Sequence, residues 1–140
     1  MKYFVLVIMA VGFAACSKSS NNVTGPQSGP DTTNVSFSNQ VQPIFTSNCA
    51  LSGCHAGASA IYGQDLSAGH AYSSTVNVPS YENSKIMRIK PYQPDSSYLY
   101  LKITGASGIS GVRMPYQRSP LDSADILTIK AWINQGAKNN

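Results

Sequence analysis

A small, mainly helical domain is the fold class this sequence predicts, and three observations carry it. Apolar residues recur at helical spacing in two stretches, Phe37, Val41, Ile44 and Phe45 in one and Ile126, Ile129, Trp132 and Ile133 in the other. Between them, short apolar pieces are separated by Pro79, Pro91 and Pro94, and no internal repeat is visible. The hundred or so residues available suit one small domain with a modest core.

The chain opens with Lys2 and an apolar run from Tyr3 to Ala15: one positive charge, a short hydrophobic core and small residues at its end, the pattern of an export signal. A membrane-spanning helix needs about 20 apolar residues, more than this run holds. Phe13-Ala14-Ala15-Cys16 resembles the lipobox of bacterial lipoproteins, with Phe13 where Leu is more usual. That resemblance implies a lipoprotein signal peptide over residues 1–15 and lipidation of Cys16. Ordinary cleavage after Ala14 is the alternative, and it leaves Cys16 as an odd, exposed thiol in an exported protein. Several acyl chains would anchor the protein stably, whereas a single chain binds only marginally. Residues 16–35, dominated by Ser, Asn, Thr, Gly, Pro and Gln, read as a flexible tether, and residues 36–140 as the folded domain.

Within the domain, the first helix is entered through Ser36 or Ser38, with Pro43 near its first turn, where a missing amide proton costs little. Residues 68–76 and 96–103 read as further short helices. The second of these fits a strand equally well, because Tyr98, Tyr100 and Ile103 favour β structure. The last helix starts at Asp122 as its cap, carries Asp125 in its first turn and stops at Gly136.

Directly after the first helix stands Cys49-Ala50-Leu51-Ser52-Gly53-Cys54-His55. Two thiols followed at once by a histidine form the arrangement that fixes haem covalently and gives its iron a proximal imidazole. Four residues separate the cysteines, where the usual pattern has two. On a helix, positions three apart lie about 60° from each other and positions five apart about 140°, so this segment must loop. Ser52 and Gly53 supply the backbone freedom. With Cys16 set aside, the two remaining thiols cannot build a four-cysteine zinc or iron–sulfur site. The competing reading is a Cys49–Cys54 disulfide in an oxidising compartment, which gives no reason for His55 to follow directly.

An iron held by His55 needs a second ligand or an open site opposite. Met114 lies in Gly111-Val112-Arg113-Met114-Pro115-Tyr116, where the following proline biases it toward extended backbone, suiting a thioether projected from a loop. Core filling is the commoner role of methionine, and Met87, in the apolar patch with Ile86 and Ile89, reads that way. His70 is the competing ligand and would make a bis-histidine site; it reads more simply as a solvated histidine near a helix start.

The chain resembles the small monohaem c-type cytochrome domains of exported bacterial proteins, including the planctomycete-type cytochrome c family and its lipoprotein relatives. The matching pieces begin with Val41-Gln42-Pro43-Ile44-Phe45 leading into Cys49 and Cys54-His55, then Asp65-Leu66-Ser67 and Val76-Asn77-Val78-Pro79-Ser80. Pro94-Asp95-Ser96-Ser97-Tyr98-Leu99, Arg113-Met114-Pro115, and Asp125-Ile126 through Trp132-Ile133-Asn134-Gln135-Gly136-Ala137 complete the order over residues 36–138. The resemblance implies an all-α, class I cytochrome c-like domain around one covalent haem c. It implies thioethers from Cys49 and Cys54, proximal ligation by His55 and distal ligation by Met114.

With both axial positions filled, such a centre passes single electrons and offers no open site for catalysis. No HExxH pattern, G-x-S-x-G elbow or phosphate-cradling glycine loop supplies another chemistry. The net charge of +4 falls to +3 without Lys2, and two haem propionates would bring it near +1, which argues against nucleic acid as a partner. Six of the nine remaining cations fall between Lys85 and Arg118; Arg88 and Arg113 are the candidate propionate contacts, and Lys85 and Lys90 either do the same or face solvent. Tyr72, Tyr92, Tyr98 and Tyr116 line the pocket or fill the core. The expectation is a non-enzymatic electron carrier, anchored by lipid on the periplasmic side, the outer membrane or the cell surface, with redox proteins as partners. The alternative is a haemless surface lipoprotein that acts as a binding module around a Cys49–Cys54 disulfide.

Overall fold

The computed structural model describes residues 29–140. The signal segment 1–15, Cys16 and the tether as far as residue 28 lie outside the described residues.

The Ser36 hydroxyl accepts from the Asn39 N–H at 3.3 Å, while the Gln40 side chain accepts from the Ser36 N–H at 2.9 Å, a reciprocal cap that starts the helical chain. The first turn, Phe37–Val41, is a π turn, and α1, Gln42–Asn48, continues from it with Pro43 in its first turn. A proline ring clashes with the carbonyl four residues back in a regular α-helix, so the wider turn before Pro43 lets the helix run on. α2, Ala71–Thr75, is a single short helix within the expected 68–76 segment. The segment left open between helix and strand is helical: α3 spans Tyr98–Thr104 and ends at Gly105 in the left-handed conformation, φ +68°. α4, Ser123–Asn134, is capped by Asp122, whose carboxylate accepts from the Asp125 N–H at 2.8 Å. At its far end Gly136, φ +96°, lies so close to Tyr92 that a Cβ there would meet the ring at 2.7 Å.

Short 3₁₀ turns at Gly57–Ser59, Ile61–Gly63 and Pro94–Ser96 join these helices. Among the described residues, β pairing is limited to isolated bridges, Val76 with Ile89, Pro79 with Met87, and Met87 with Ser97. They lace the segment between α2 and α3 to the start of α3.

The core forms where α4 meets the first turns. Trp132, Ile129, Ile133 and Val41 are fully buried. Phe37 packs on Trp132 at 5.1 Å between ring centroids and edge-on against Tyr72 at 5.6 Å. The indole N–H of Trp132 donates to the Lys138 carbonyl at 2.8 Å, so its polar atom is satisfied inside the core. α3 lies against α4 and turns Tyr98, Leu99, Lys102 and Ile103 toward the cleft described next.

Candidate haem site

The last turn of α1 delivers Cys49, whose N–H donates to the Phe45 carbonyl at 2.9 Å. The chain then doubles back: the His55 N–H donates to the Cys49 carbonyl at 3.2 Å and the Cys54 N–H to the Leu51 carbonyl at 2.9 Å. Gly53, at φ +76°, makes the reversal in a conformation that side-chain-bearing residues rarely adopt. The long spacer is thereby taken up in a closed loop with Cys49 and Cys54-His55 at its base.

The next segment braces that base. The Ile61 N–H donates to the Cys54 carbonyl and the Leu66 N–H to the His55 carbonyl, each at 2.8 Å. Nδ1 of His55 lies 3.1 Å from the Gln64 carbonyl. A carbonyl can only accept, so this bond places the ring proton on Nδ1 and leaves the lone pair on Nε2. Burial pushes the His55 pKa below its ordinary value, with the Gln64 carbonyl opposing, so the imidazole is neutral at neutral pH, the form that binds a metal.

Cys49, Cys54, His55 and Met114 line one cleft, with Leu66, Leu99 and Ile103 among its apolar walls. Its empty space is about 1020 Å³, open mouth included. Both cysteines are free thiols and half-buried. Burial pushes the Cys49 thiol up to about 11, only partly opposed by Arg118, so it stays protonated at neutral pH. Met114 comes from a loop tied to α3 by its N–H, which donates to the Lys102 carbonyl at 2.9 Å; it packs at the margin of the core.

The cleft also has a polar wall. Lys102 pairs with Glu82 at 3.0 Å and donates to the Ser110 carbonyl at 2.8 Å, and Tyr98 Oη accepts from the Ser110 N–H at 2.8 Å. Arg118 stands exposed on the same cleft, donating to the Asn48 carbonyl at 3.3 Å. Tyr62 and Tyr81 stack at 4.4 Å on the cleft and remain exposed.

The other sequence candidates fall elsewhere. His70 is exposed at the head of α2 and does not line the cleft. Met87 is half-buried among the bridges. The Arg88 guanidinium donates to the carbonyls of Tyr62, Gly63 and Ser74, and that of Arg113 to the carbonyls of Met114 and Arg118. Neither arginine lines the cleft; the cations that do are Lys102 and Arg118. Tyr98 and Tyr116 line the cleft, whereas Tyr72 packs on Phe37 and Tyr92 covers Gly136.

Sequence reading missed Gln64, Lys102 and Arg118. Gln64 acts through its backbone carbonyl, which carries no side-chain signal. Lys102 and Arg118 belong to the cluster of cations already visible between Lys85 and Arg118, but nothing local to them separates a cleft-lining cation from a solvated one.

In comparison with known proteins, the chain matches no family model, no curated protein and no solved structure.

The donor set itself tests what the cleft suits. Among the described residues no three His, Cys, Asp or Glu side chains converge on a point that would hold a bare metal ion. Two free thiols, an imidazole oriented by a carbonyl and a thioether on one mainly apolar cleft suit instead a group that brings its own equatorial ligands. The residues present therefore fit a haem.

Proposed function

We propose that this protein is a lipid-anchored c-type cytochrome that carries single electrons through one covalent haem c. The observation that carries the reading is the shared cleft of Cys49, Cys54, His55 and Met114, with His55 Nδ1 already bonded to a carbonyl. When bound, the haem supplies one-electron chemistry, and thioether ligation raises its potential by favouring the ferrous state.

The chain's own residues do the rest. Cys49 and Cys54 would hold the group through thioether bonds, His55 would offer its iron the Nε2 lone pair, and Met114 would offer it a thioether sulfur. Leu66, Leu99 and Ile103 exclude water from the cleft. Arg118, on the same cleft, supplies positive charge for haem carboxylates, while Glu82 neutralises Lys102. Lipidation of Cys16 ties the domain to a membrane facing the periplasm or the cell surface, and the tether gives it reach toward redox proteins. The resemblance to monohaem c-type cytochrome domains supports the same reading, as does a charge balance with little attraction for nucleic acid.

Protein matured in its own compartment tests the proposal. It is expected to give the pyridine haemochrome spectrum of a thioether-linked haem, to titrate reversibly as a one-electron couple, and to leave carbon monoxide unbound when reduced. Rapid carbon monoxide binding would replace electron carriage with gas sensing. A colourless, disulfide-bonded product would replace it with a haemless binding module.

A further inference from the structure

Arg88 has a role that its charge alone does not explain. Its side chain is buried, with 7% of the residue exposed, and it has no carboxylate partner; among the described residues the one ion pair is Lys102 with Glu82. The guanidinium instead donates to the carbonyls of Tyr62 at 2.7 Å, Gly63 at 3.2 Å and Ser74 at 2.7 Å, and its Nε is buried without a partner. A buried cation with an orphaned donor is costly, and an apolar side chain would fill the same space without that cost.

What the three carbonyls belong to gives the reason. Tyr62 and Gly63 are consecutive left-handed residues, φ +57° and +62°, and the first carries a bulky side chain. Such backbone persists only where its surroundings over-determine it. The residue that follows is Gln64, whose carbonyl accepts from His55 Nδ1. Arg88 is itself fixed: its N–H donates to the Val78 carbonyl at 2.7 Å and its own carbonyl accepts from the Leu99 N–H at 2.9 Å. The guanidinium is thus a rigid fork, anchored among the bridges, that grips the turn one residue before the acceptor of the imidazole proton.

We propose that Arg88 is a positioning residue for His55: by holding the Tyr62 and Gly63 carbonyls it fixes the turn that aims the Gln64 carbonyl at Nδ1, and so sets the imidazole's tautomer and donor strength. The effect on potential rests on the haem reading above; the effect on the tautomer does not.

The test uses the full chain as wild type, Arg88→Lys and Arg88→Gln. In the haem-loaded proteins Arg88→Lys, which keeps the positive charge felt at His55, makes the reduction potential more positive, because a loosened Nδ1–H bond makes the imidazole a weaker donor and favours ferrous iron. For Arg88→Lys the reduction equilibrium moves about tenfold, or about 59 mV for a one-electron couple. In the haem-free proteins at neutral pH, imidazole nitrogen shifts show one Nδ1-protonated tautomer for wild-type His55 and a mixture in both variants. Both effects are required, and a wild-type potential in Arg88→Lys or a wild-type tautomer in either variant overturns the inference. If Arg88→Gln does not fold, Arg88→Lys decides by the same rule. If the wild-type chain carries no haem, the electron-carrier reading fails by itself and the tautomer decides this one alone.

Discussion

At the residue scale the two proposed ligands differ, Met114 carrying a soft sulfur on a loop and His55 a nitrogen whose ring is held by a carbonyl 3.1 Å away. Replacing Met114 with Ala is expected to leave haem covalently attached, abolish the far-red band of thioether-bound ferric iron and introduce high-spin character. An unchanged absorption spectrum would move the distal ligand to His70 or Met87. The same spectrum taken on His70→Ala should match wild type, because His70 is exposed and outside the cleft. Asp65 contributes to acid sensitivity nearby: its carboxylate accepts from the Ser67 N–H at 2.9 Å and the Gly57 N–H at 3.0 Å. Hydrogen bonds from Ser67, then Gly57, hold its pKa below the ordinary value. With the folded pKa below the unfolded one, this stabilisation is complete above about pH 3.9 and is lost as pH falls through the folded value. Melting temperature followed from neutral to acidic pH should therefore fall less steeply for Asp65→Asn than for wild type, and parallel curves would contradict the assignment. Side-chain chemistry made Cys49, Cys54, His55 and Met114 visible as candidates from sequence. The roles of Gln64 and Arg88 were hidden, one because it works through backbone and the other because its burial is decided by the bridges around it.

At the scale of elements, α4 is the helix whose signals agree at every level. Asp122 caps it, Ile129, Trp132 and Ile133 share its buried face, and Gly136 ends it against Tyr92. Asp122→Ala should lower stability by about 1 kcal/mol through loss of the cap. Trp132→Ala should lower it by about 3–5 kcal/mol, because the cavity adds to lost burial. Denaturant unfolding measures both, and a Trp132 effect no larger than the Asp122 effect would place the core elsewhere. α3 was less legible, because the β propensity of Tyr98, Tyr100 and Ile103 is local while its packing against α4 and the left-handed Gly105 cap are not. The π turn before Pro43 was not legible at all. It arises from joining a capped start at Ser36 to a proline that cannot tolerate the regular carbonyl position.

Across the whole molecule, the helical scaffold keeps the cysteine loop, α3 and the Met114 loop around one cleft, although these pieces lie far apart in the chain. Composition and spacing made a small helical unit with a thiol–histidine motif readable. The cleft's polar wall of Glu82, Lys102 and Tyr98 depended on segments meeting in space. The electron-carrier reading proposed for this protein depends on a porphyrin bonded to Cys49 and Cys54. Intact-mass analysis of the natively processed chain after denaturation measures that bond most directly: the account predicts a polypeptide heavier by one haem, still red when unfolded. A mass equal to that of the lipidated polypeptide alone would contradict it.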